Sequence, residues 1–177
     1  MFKLQFDIKK IPELADRYVS RLSSLPKADS DDVALAAAAQ GRQDGYLTKK
    51  SFLDLCRWKS PRLLGHAKSN SPSFIKEATA VAFSTKHEEL KMGALTALSG
   101  VGYPMASAIL HLVHENQYPL LDFRALWSLG IEKPPQYNFR FWWAYVEACR
   151  SIASEAGKDM RMVDRALWQF SFENQKQ

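Results

Sequence analysis

The fold of this chain is decided by one stretch, which reads Leu95-Thr96-Ala97-Leu98-Ser99-Gly100-Val101-Gly102-Tyr103-Pro104-Met105-Ala106-Ser107-Ala108-Ile109-Leu110. Gly100 and Gly102 flank the apolar residue Val101, and the backbone can turn tightly there because neither glycine carries a side chain. Val101 can then pack between the two flanking helices. Pro104 suits the first turn of the second helix, where backbone N–H groups have no partner in any case. The stretch therefore predicts two helices joined by a tight turn.

The amides after this turn are expected at a helix N-terminus, where unpaired N–H groups and the helix dipole favour a phosphate. Contacts of this kind position a duplex without reading its base sequence. We therefore predict that Gly100, Val101, Gly102 and Tyr103 bind the DNA backbone. Glycine also occurs in many ordinary helix–helix turns, so an ordinary helical hairpin stays open as the alternative.

Helical signals extend over nearly all of the remaining chain. Capping residues and helix breakers predict where the helices begin and end. Before the hairpin, the predicted helices are Ile11–Ser23 (stopped before Pro26), Val33–Gln40 (capped from 29–32, ended by Gly41), one from Thr48 to Trp58, and one from Ser71-Pro72 with Ile75, Ala78, Val81 and Ala82 on one face. The first hairpin helix runs from the capping box Thr85-Lys86-His87-Glu88 to about Leu98, and after the hairpin come a short helix between Asp122 and Gly130, Phe139–Glu155, and Met160–Ser171 capped by Asp159. Residues 2–8 alternate apolar and polar, which predicts one short strand. The expected fold is all-α, in a single domain of residues 1–177.

Composition and charge indicate which kinds of partner and cellular location suit this protein. The chain has 46% hydrophobic residues and a net charge of +5. Five basic residues and no acid lie between Leu55 and Lys76, and this focused positive charge favours a polyanionic partner, although a solvated basic loop is the alternative. The two cysteines lie far apart and fit a reducing cytosol, and no signal peptide or membrane span is expected. The predicted location is cytoplasmic, with nucleoid association if the source is bacterial.

The segment from Leu98 to Asp122 resembles the helix-hairpin-helix DNA glycosylase superfamily of base-excision repair. The matching residues are Leu98-x-Gly-Val-Gly-x-x-x-Ala106 and, after a helix, Tyr118-Pro119-Leu120-Leu121-Asp122. The resemblance covers residues 85–130, with the hairpin element at about 86–116. It implies a two-lobed helical protein, with the hairpin and Asp122 facing a cleft between the lobes. It also implies that Asp122 is the catalytic aspartate.

Pro104 departs from the pattern of the bifunctional members of that superfamily. Those members carry a lysine at this position, and without an amine no Schiff base with the sugar can form. The resemblance therefore implies a monofunctional hydrolase without lyase activity. Asp122 would stabilise the positive charge that develops on the sugar, and as a helix cap it is expected to be ionised. A capping aspartate without chemistry is the alternative.

Further side chains are candidates for contacts with DNA and with an extruded base. They are Arg57, Trp58, Lys59 and Arg62 in the basic segment, and Arg124 and Trp127 after Asp122. Cations neutralise phosphates, and a tryptophan can stack on a base, but Trp58 also fits a buried helix end. His111 and His114 have helical spacing without further ligands, so we predict no metal site and place both at solvent or between lobes. No cofactor is expected.

Three functions remain open after the sequence alone. The first is a monofunctional DNA glycosylase that acts on a flipped, modified or mismatched base in double-stranded DNA. The second is a non-catalytic DNA-binding module with the same hairpin. The third is a protein-interaction scaffold in which residues 2–8 pair with a partner chain. The sequence assigns no oligomeric state.

Overall fold

The computed structural model of the protein describes residues 2–23, 31–114 and 116–175. Within these residues it is helical without strands, which confirms the predicted all-α class. The helices are α1 (Ile11–Ser23), α2 (Asp32–Asp44), α3 (Lys49–Lys59), α4 (Leu64–Lys68), α5 (Pro72–Ser84), α6 (Glu88–Thr96), α7 (Tyr103–Val113), α8 (Phe123–Ser128), α9 (Phe139–Ala156) and α10 (Met160–Asn174). Among the described residues, no helix combines the length and the apolar character needed to cross a membrane.

The chain divides into two compact units. The central unit comprises Asp29–His114 and contains α2 to α7. The terminal unit comprises Met1–Ala28 with Glu115–Gln177 and contains α1, α8, α9 and α10. The predicted hairpin therefore belongs to the central unit and Asp122 to the terminal unit.

Helix α7 forms the core of the central unit. It packs against α2, α3 and α6, and every residue from Met105 to Val113 is buried. Arg42 from α2 donates from Nε to the carbonyl of Val113 at 2.9 Å and from Nη2 to that of Leu112 at 3.2 Å. These bonds satisfy carbonyls that the helix end leaves without an intrahelical partner. The last turn of α7 is thus fixed by a side chain from a neighbouring helix.

Helix α10 has the same central position in the terminal unit. It packs against α1, α8 and α9, with Val163 and Leu167 fully buried. Trp142 and Tyr145 from α9 are also fully buried. The Ser128 hydroxyl at the end of α8 donates to the carbonyl of Leu167 at 2.6 Å. Asp122 therefore begins a short helix that is bonded directly to the core helix of its unit.

The predicted N-terminal strand is not formed. Its alternation correctly separates the half-buried Phe2, Leu4 and Phe6 from the exposed Lys3 and Gln5. The amides of Lys3 and Gln5, however, donate to the carbonyls of Leu129 and Ser128 at 2.9 and 3.0 Å. The segment therefore pairs with the end of α8 rather than with a strand, and it bends at residues 5 and 6 before a 3-10 turn begins at Ile8.

Several predicted helix ends are also wrong. Helix α2 continues through Gly41 to Asp44 and ends at Gly45, which has φ +77°. Gly41 lies inside the helix, and its lack of a side chain makes room for Leu47, which lies 2.5 Å from an ideal Cβ position. Helix α6 begins after His87, so the predicted capping box at Thr85 does not form. Pro26, Asp29 and Ser30, predicted to border helices, lie outside the described residues.

Two predictions about buried faces are corrected as well. Val81 on α5 is 42% exposed, and Thr79 is buried on the helix face instead. His111 is 4% exposed, so a solvent position is wrong for it. His114 is half-buried, and burial, with the nearby Lys91 and Arg42, lowers its pKa to about 4. An imidazole with this pKa is neutral at physiological pH.

Candidate functional site

The turn between α6 and α7 is built on one glycine that cannot be replaced without strain. Gly100 has φ +81°, which disfavours any other residue. An ideal Cβ on Gly100 would lie 3.0 Å from the amide nitrogen of Ala67, 3.2 Å from His66 Cβ and 3.2 Å from the carbonyl oxygen of Leu63. Val101 is 6% exposed and donates to the carbonyl of Leu98 at 3.0 Å. The turn is therefore tight and packed against residues 63–67.

The same contacts place the basic segment beside the turn. The Asn70 side chain accepts from the Ser99 amide and donates to the Ser99 carbonyl, both at 2.9 Å. Arg62, His66 and Lys68, which border this contact along the chain, are exposed. Two features that the sequence presents separately, the glycine turn and the acid-free basic segment, therefore meet in the central unit.

Three amides at the start of α7 have no hydrogen-bond partner among the described residues. Within the described part of the chain, the N–H groups of Gly102, Tyr103 and Met105 donate to no backbone carbonyl, and Pro104 has no N–H. The N-cap residue Gly102 is exposed and has no side chain that caps the helix. Such a helix start favours an anion. Tyr103 is half-buried, and burial together with the charge of Glu89 raises its pKa.

The candidates on α3 are already engaged by other residues. The Arg57 guanidinium pairs with Asp54 at 2.9 Å, and Lys50 pairs with the same carboxylate at 2.7 Å. The half-buried Trp58 donates from Nε1 to Asp31 at 2.8 Å. Lys59 is half-buried as well. The tryptophan is thus held at the helix end by a hydrogen bond to the N-cap residue of α2.

In the terminal unit, Asp122 is the N-cap of α8, as predicted. Its Oδ1 accepts from the amide of Arg124 at 2.8 Å and from that of Ala125 at 3.1 Å. These two bonds satisfy donors that the first turn of a helix leaves unpaired. The carboxylate is half-buried and has a fixed orientation.

The segment that leads to Asp122 is held by side chains from α9 and α10. Both carboxylate oxygens of Asp164 accept from the Leu120 amide, at 3.1 and 3.2 Å, and Tyr145 Oη donates to the Leu120 carbonyl at 2.7 Å. Arg150 donates to the carbonyl of Gln117 at 3.0 and 2.9 Å. The pKa of Tyr145 lies well above its usual value, mainly because of burial and then because of nearby Cys149, Asp164 and Asp122. Its phenol therefore stays a neutral hydrogen-bond donor.

A small pocket lies beside Asp122 in the terminal unit. The described residues that line it are Tyr18, Leu120, Asp122, Ala125, Arg161, Asp164, Arg165 and Trp168. Its cavity volume of about 20 Å³ is room for one water-sized group. The pocket therefore combines a fixed carboxylate, two arginines and an aromatic wall. Its volume is too small for a whole nucleobase.

Arg124 and Trp127 lie in the same unit but are not among these lining residues. The Arg124 guanidinium stacks over the rings of Phe123, Trp168 and Phe172, at 5.1, 4.9 and 5.4 Å from their centroids. Trp127 packs against Phe170 at 5.8 Å. Phe123 and Phe172 are 58% and 43% exposed, so Arg124 sits on an accessible aromatic surface beside the Asp122 helix.

Of the residues that line the pocket, the sequence predicted only Asp122 as a site residue. Those that it missed include four from α10, which are Arg161, Asp164, Arg165 and Trp168. They follow one another at intervals of three, one and three along α10, which places them on one side of a helix. Asp164 is 5% exposed among apolar neighbours. A charged residue at a core position of an amphipathic helix is the signal that points to this stripe.

Replacing Asp164 tests whether the segment before Asp122 is held as described. Asp164→Ala removes the acceptor of the half-buried Leu120 amide, and a hydrogen bond to a charged group contributes about 1.5–3 kcal/mol. We expect lower stability toward urea and faster hydrogen exchange at the Leu120 amide. Asp159→Ala, which removes the N-cap of α10, is the control, and it should leave exchange at Leu120 unchanged. Unchanged exchange at Leu120 in Asp164→Ala would contradict the assignment.

Comparison with known proteins adds no family to this picture. No family model matches the chain, and no significant match occurs among curated proteins or solved structures.

Proposed function

We propose that the protein binds double-stranded DNA through the Gly100–Gly102 turn and hydrolyses the N-glycosidic bond of an extruded modified or mismatched base. The turn contributes amides to a backbone phosphate, and the exposed cations of residues 62–68 neutralise neighbouring phosphates. The single observation that carries the DNA-binding part is the meeting of this basic segment with the unpaired amides of α7.

Asp122 is the proposed catalytic residue. When the bond between C1′ and the base nitrogen breaks, its electron pair leaves with the base and positive charge develops on the sugar. A fixed carboxylate stabilises this charge electrostatically. Water then adds its oxygen to C1′ and gives up one proton, and the departing base takes up one proton, so the reaction consumes only water and needs no cofactor. Pro104 offers no amine, so no covalent adduct and no strand cleavage are expected.

Support for the catalytic role comes from the way Asp122 is held. Its orientation is fixed by two amide bonds, and the segment before it is bonded to Asp164 and Tyr145. Preorganised charge of this kind needs no rearrangement during the reaction.

Gly102→Ala tests the DNA-binding part without disturbing the fold. Gly102 has φ −95° and ψ −179°, which any residue adopts, and an ideal Cβ would meet only Pro104 Cδ at 3.8 Å. The added methyl group would stand beside the three unpaired amides and keep a phosphate at a distance. We expect affinity for a labelled duplex, measured by fluorescence anisotropy, to fall roughly tenfold, the worth of one charge-assisted hydrogen bond.

The matched control is Gly93→Ala, because Gly93 also has open space around its Cβ position. Both variants should keep the melting temperature of the wild type within a few degrees, and only Gly102→Ala should lose affinity. Equal affinity of the two variants would exclude the turn as the contact. Failure of the wild-type protein to bind duplex DNA even at about 50 mM salt would exclude DNA binding altogether.

A non-catalytic DNA-binding module is the second candidate. It is favoured by the fact that Asp122 Oδ1 already serves as a helix cap, a role that accounts for an aspartate at this position without chemistry. An interaction scaffold that uses residues 2–8 gains no such support, because the amides of Lys3 and Gln5 are bonded within the chain. Base release separates the first two candidates.

A further inference from the structure

Arg165 has a buried donor that nothing in the described chain satisfies. Its Nε is inaccessible to solvent and has no hydrogen-bond partner, and its guanidinium forms no hydrogen bond, ion pair or ring contact with any described residue. Arg17 in the same unit is the opposite case, because it is paired with Glu13 and Glu173. A buried polar group without a partner is unfavourable, and native structures usually satisfy such groups. Arg165 as a whole is only half-buried and lines a pocket, so the rest of its guanidinium can meet a ligand that brings its own acceptors.

The pocket that Arg165 lines decides what kind of acceptor fits. A guanidinium matches the oxygens of a phosphate or a carboxylate, to which it donates two parallel hydrogen bonds. The cavity of about 20 Å³ admits one oxygen-sized group but not the ring of a nucleobase. Asp164, which shares the pocket, directs both oxygens to the Leu120 amide and forms no ion pair with Arg165. A non-bridging phosphate oxygen meets these limits.

We propose that Arg165 binds a non-bridging oxygen of a nucleic-acid phosphodiester, and that this contact sets the sugar of the bound nucleotide against Asp122. The inference rests on the proposed function in one respect, that the ligand of the terminal unit is a nucleic-acid strand. It adds a specific anion subsite to a site otherwise defined by a carboxylate. Arg165 acts as a binding and positioning residue, and the Trp168 ring forms an adjoining wall of the pocket.

The test uses a ligand that cannot be processed, a duplex with a central tetrahydrofuran abasic site. Arg165→Gln should weaken binding about tenfold and reduce the slope of log affinity against log salt by about 0.7–0.9, the value for one phosphate contact. Arg165→Lys keeps the charge and should restore most of the slope but not the affinity. Arg17→Gln removes the same charge from an arginine whose partners are already satisfied, and it should bind like the wild type.

The phosphate itself is identified by replacing one phosphodiester at a time, on either side of the abasic site, with an uncharged methylphosphonate. At the contacted phosphate, the affinity lost with the methylphosphonate should not add to the affinity lost in Arg165→Gln, because both changes remove the same interaction. In a second experiment inorganic phosphate is added as a competitor of the duplex, and it should displace the duplex only weakly. If Arg165→Gln binds like Arg17→Gln, or if every methylphosphonate loss is additive, the inference is wrong. Competition by inorganic phosphate as strong as that by the duplex would overturn the nucleic-acid source.

These outcomes are separable from those for the proposed function. Base release by the wild type with unchanged DNA affinity in Arg165→Gln would reject the subsite and keep the glycosylase proposal. Loss of affinity and salt slope in Arg165→Gln, without base release by the wild type, would keep the subsite and reject the catalytic proposal. Circular dichroism, with hydrogen exchange at Leu120, verifies that the Arg165 variants are folded.

Discussion

Asp122→Asn is expected to abolish base release while DNA affinity stays close to that of the wild type. Asparagine has the same shape and caps helices as well as aspartate, so its side-chain oxygen can still accept from the amides of Arg124 and Ala125. Only the negative charge is lost. Removal of one preorganised electrostatic group typically costs about a hundred- to a thousandfold in rate, which would take a slow glycosidic hydrolysis below detection.

The measurement is base release from a panel of duplexes that each carry one modified or mismatched base, with affinity measured on the same duplexes. Asp159→Asn is the matched control, because Asp159 also caps a helix of the terminal unit, accepting from the Met162 amide at 2.7 Å. This variant loses the same charge and should keep full activity. Undetectable release by the wild type across a broad panel would favour the non-catalytic module. Equal release by Asp122→Asn would make Asp122 a cap alone.

The helices were predictable where a local signal fixes them. Thr48, Ser71, Asp122 and Asp159 all cap the helices that the sequence assigns to them, each by accepting from an amide two or three residues ahead. Such bonds involve only neighbouring residues, so the sequence contains all the information needed. The all-α class follows from the sum of these signals.

Two of the errors arise where a contact beyond the element itself outweighs the local signal. Gly41 disfavours a helix by its intrinsic propensity, yet it lies inside α2, where its missing side chain leaves room for Leu47, and Gly45 supplies the left-handed end. The alternation of residues 2–8 correctly indicates two faces, but it does not show that the hydrogen-bond partners are carbonyls at the end of α8. Intrinsic propensity favours one local conformation over another, but tertiary contacts can override that preference.

The residues of the candidate site were likewise predictable only in part. Asp122 was found from its cap position and from the superfamily resemblance, and it is a cap. Arg165 was not found, because the pocket combines residues from α1, α8 and α10 that only the folded chain brings together. Trp58 was a candidate by residue type, but its bond to Asp31 depends on how α2 meets α3. Residue type thus suggests the chemistry, and non-local packing decides which side chains are available for it.

Gly100→Ala should cause a large loss of stability of the central unit. A non-glycine residue at φ +81° costs roughly 1–2 kcal/mol. The new methyl group would also lie 3.0 Å from the amide nitrogen of Ala67 and 3.2 Å from the carbonyl of Leu63, and overpacking of this kind typically costs about 1–3 kcal/mol. Both neighbours are backbone atoms, so neither can move aside by changing a rotamer. We expect a total loss of about 3 kcal/mol.

Urea unfolding followed by circular dichroism, with hydrogen exchange at residues 63–70 and 98–106, measures this loss within the central unit. Gly102→Ala is the control, because the same methyl group there meets only Pro104 Cδ at 3.8 Å, an ordinary van der Waals contact. A loss below about 0.5 kcal/mol in Gly100→Ala would mean that the turn tolerates a side chain and that its glycine is not required by the fold.

The two variants, Gly100→Ala and Gly102→Ala, separate two reasons for a glycine in one turn. Gly100 is required because the backbone and residues 63–67 leave no room, whereas Gly102 is expected to matter only when a phosphate approaches the amides of α7. Loss of DNA affinity without loss of stability in Gly102→Ala, beside loss of stability in Gly100→Ala, would therefore assign the second glycine to binding and the first to folding.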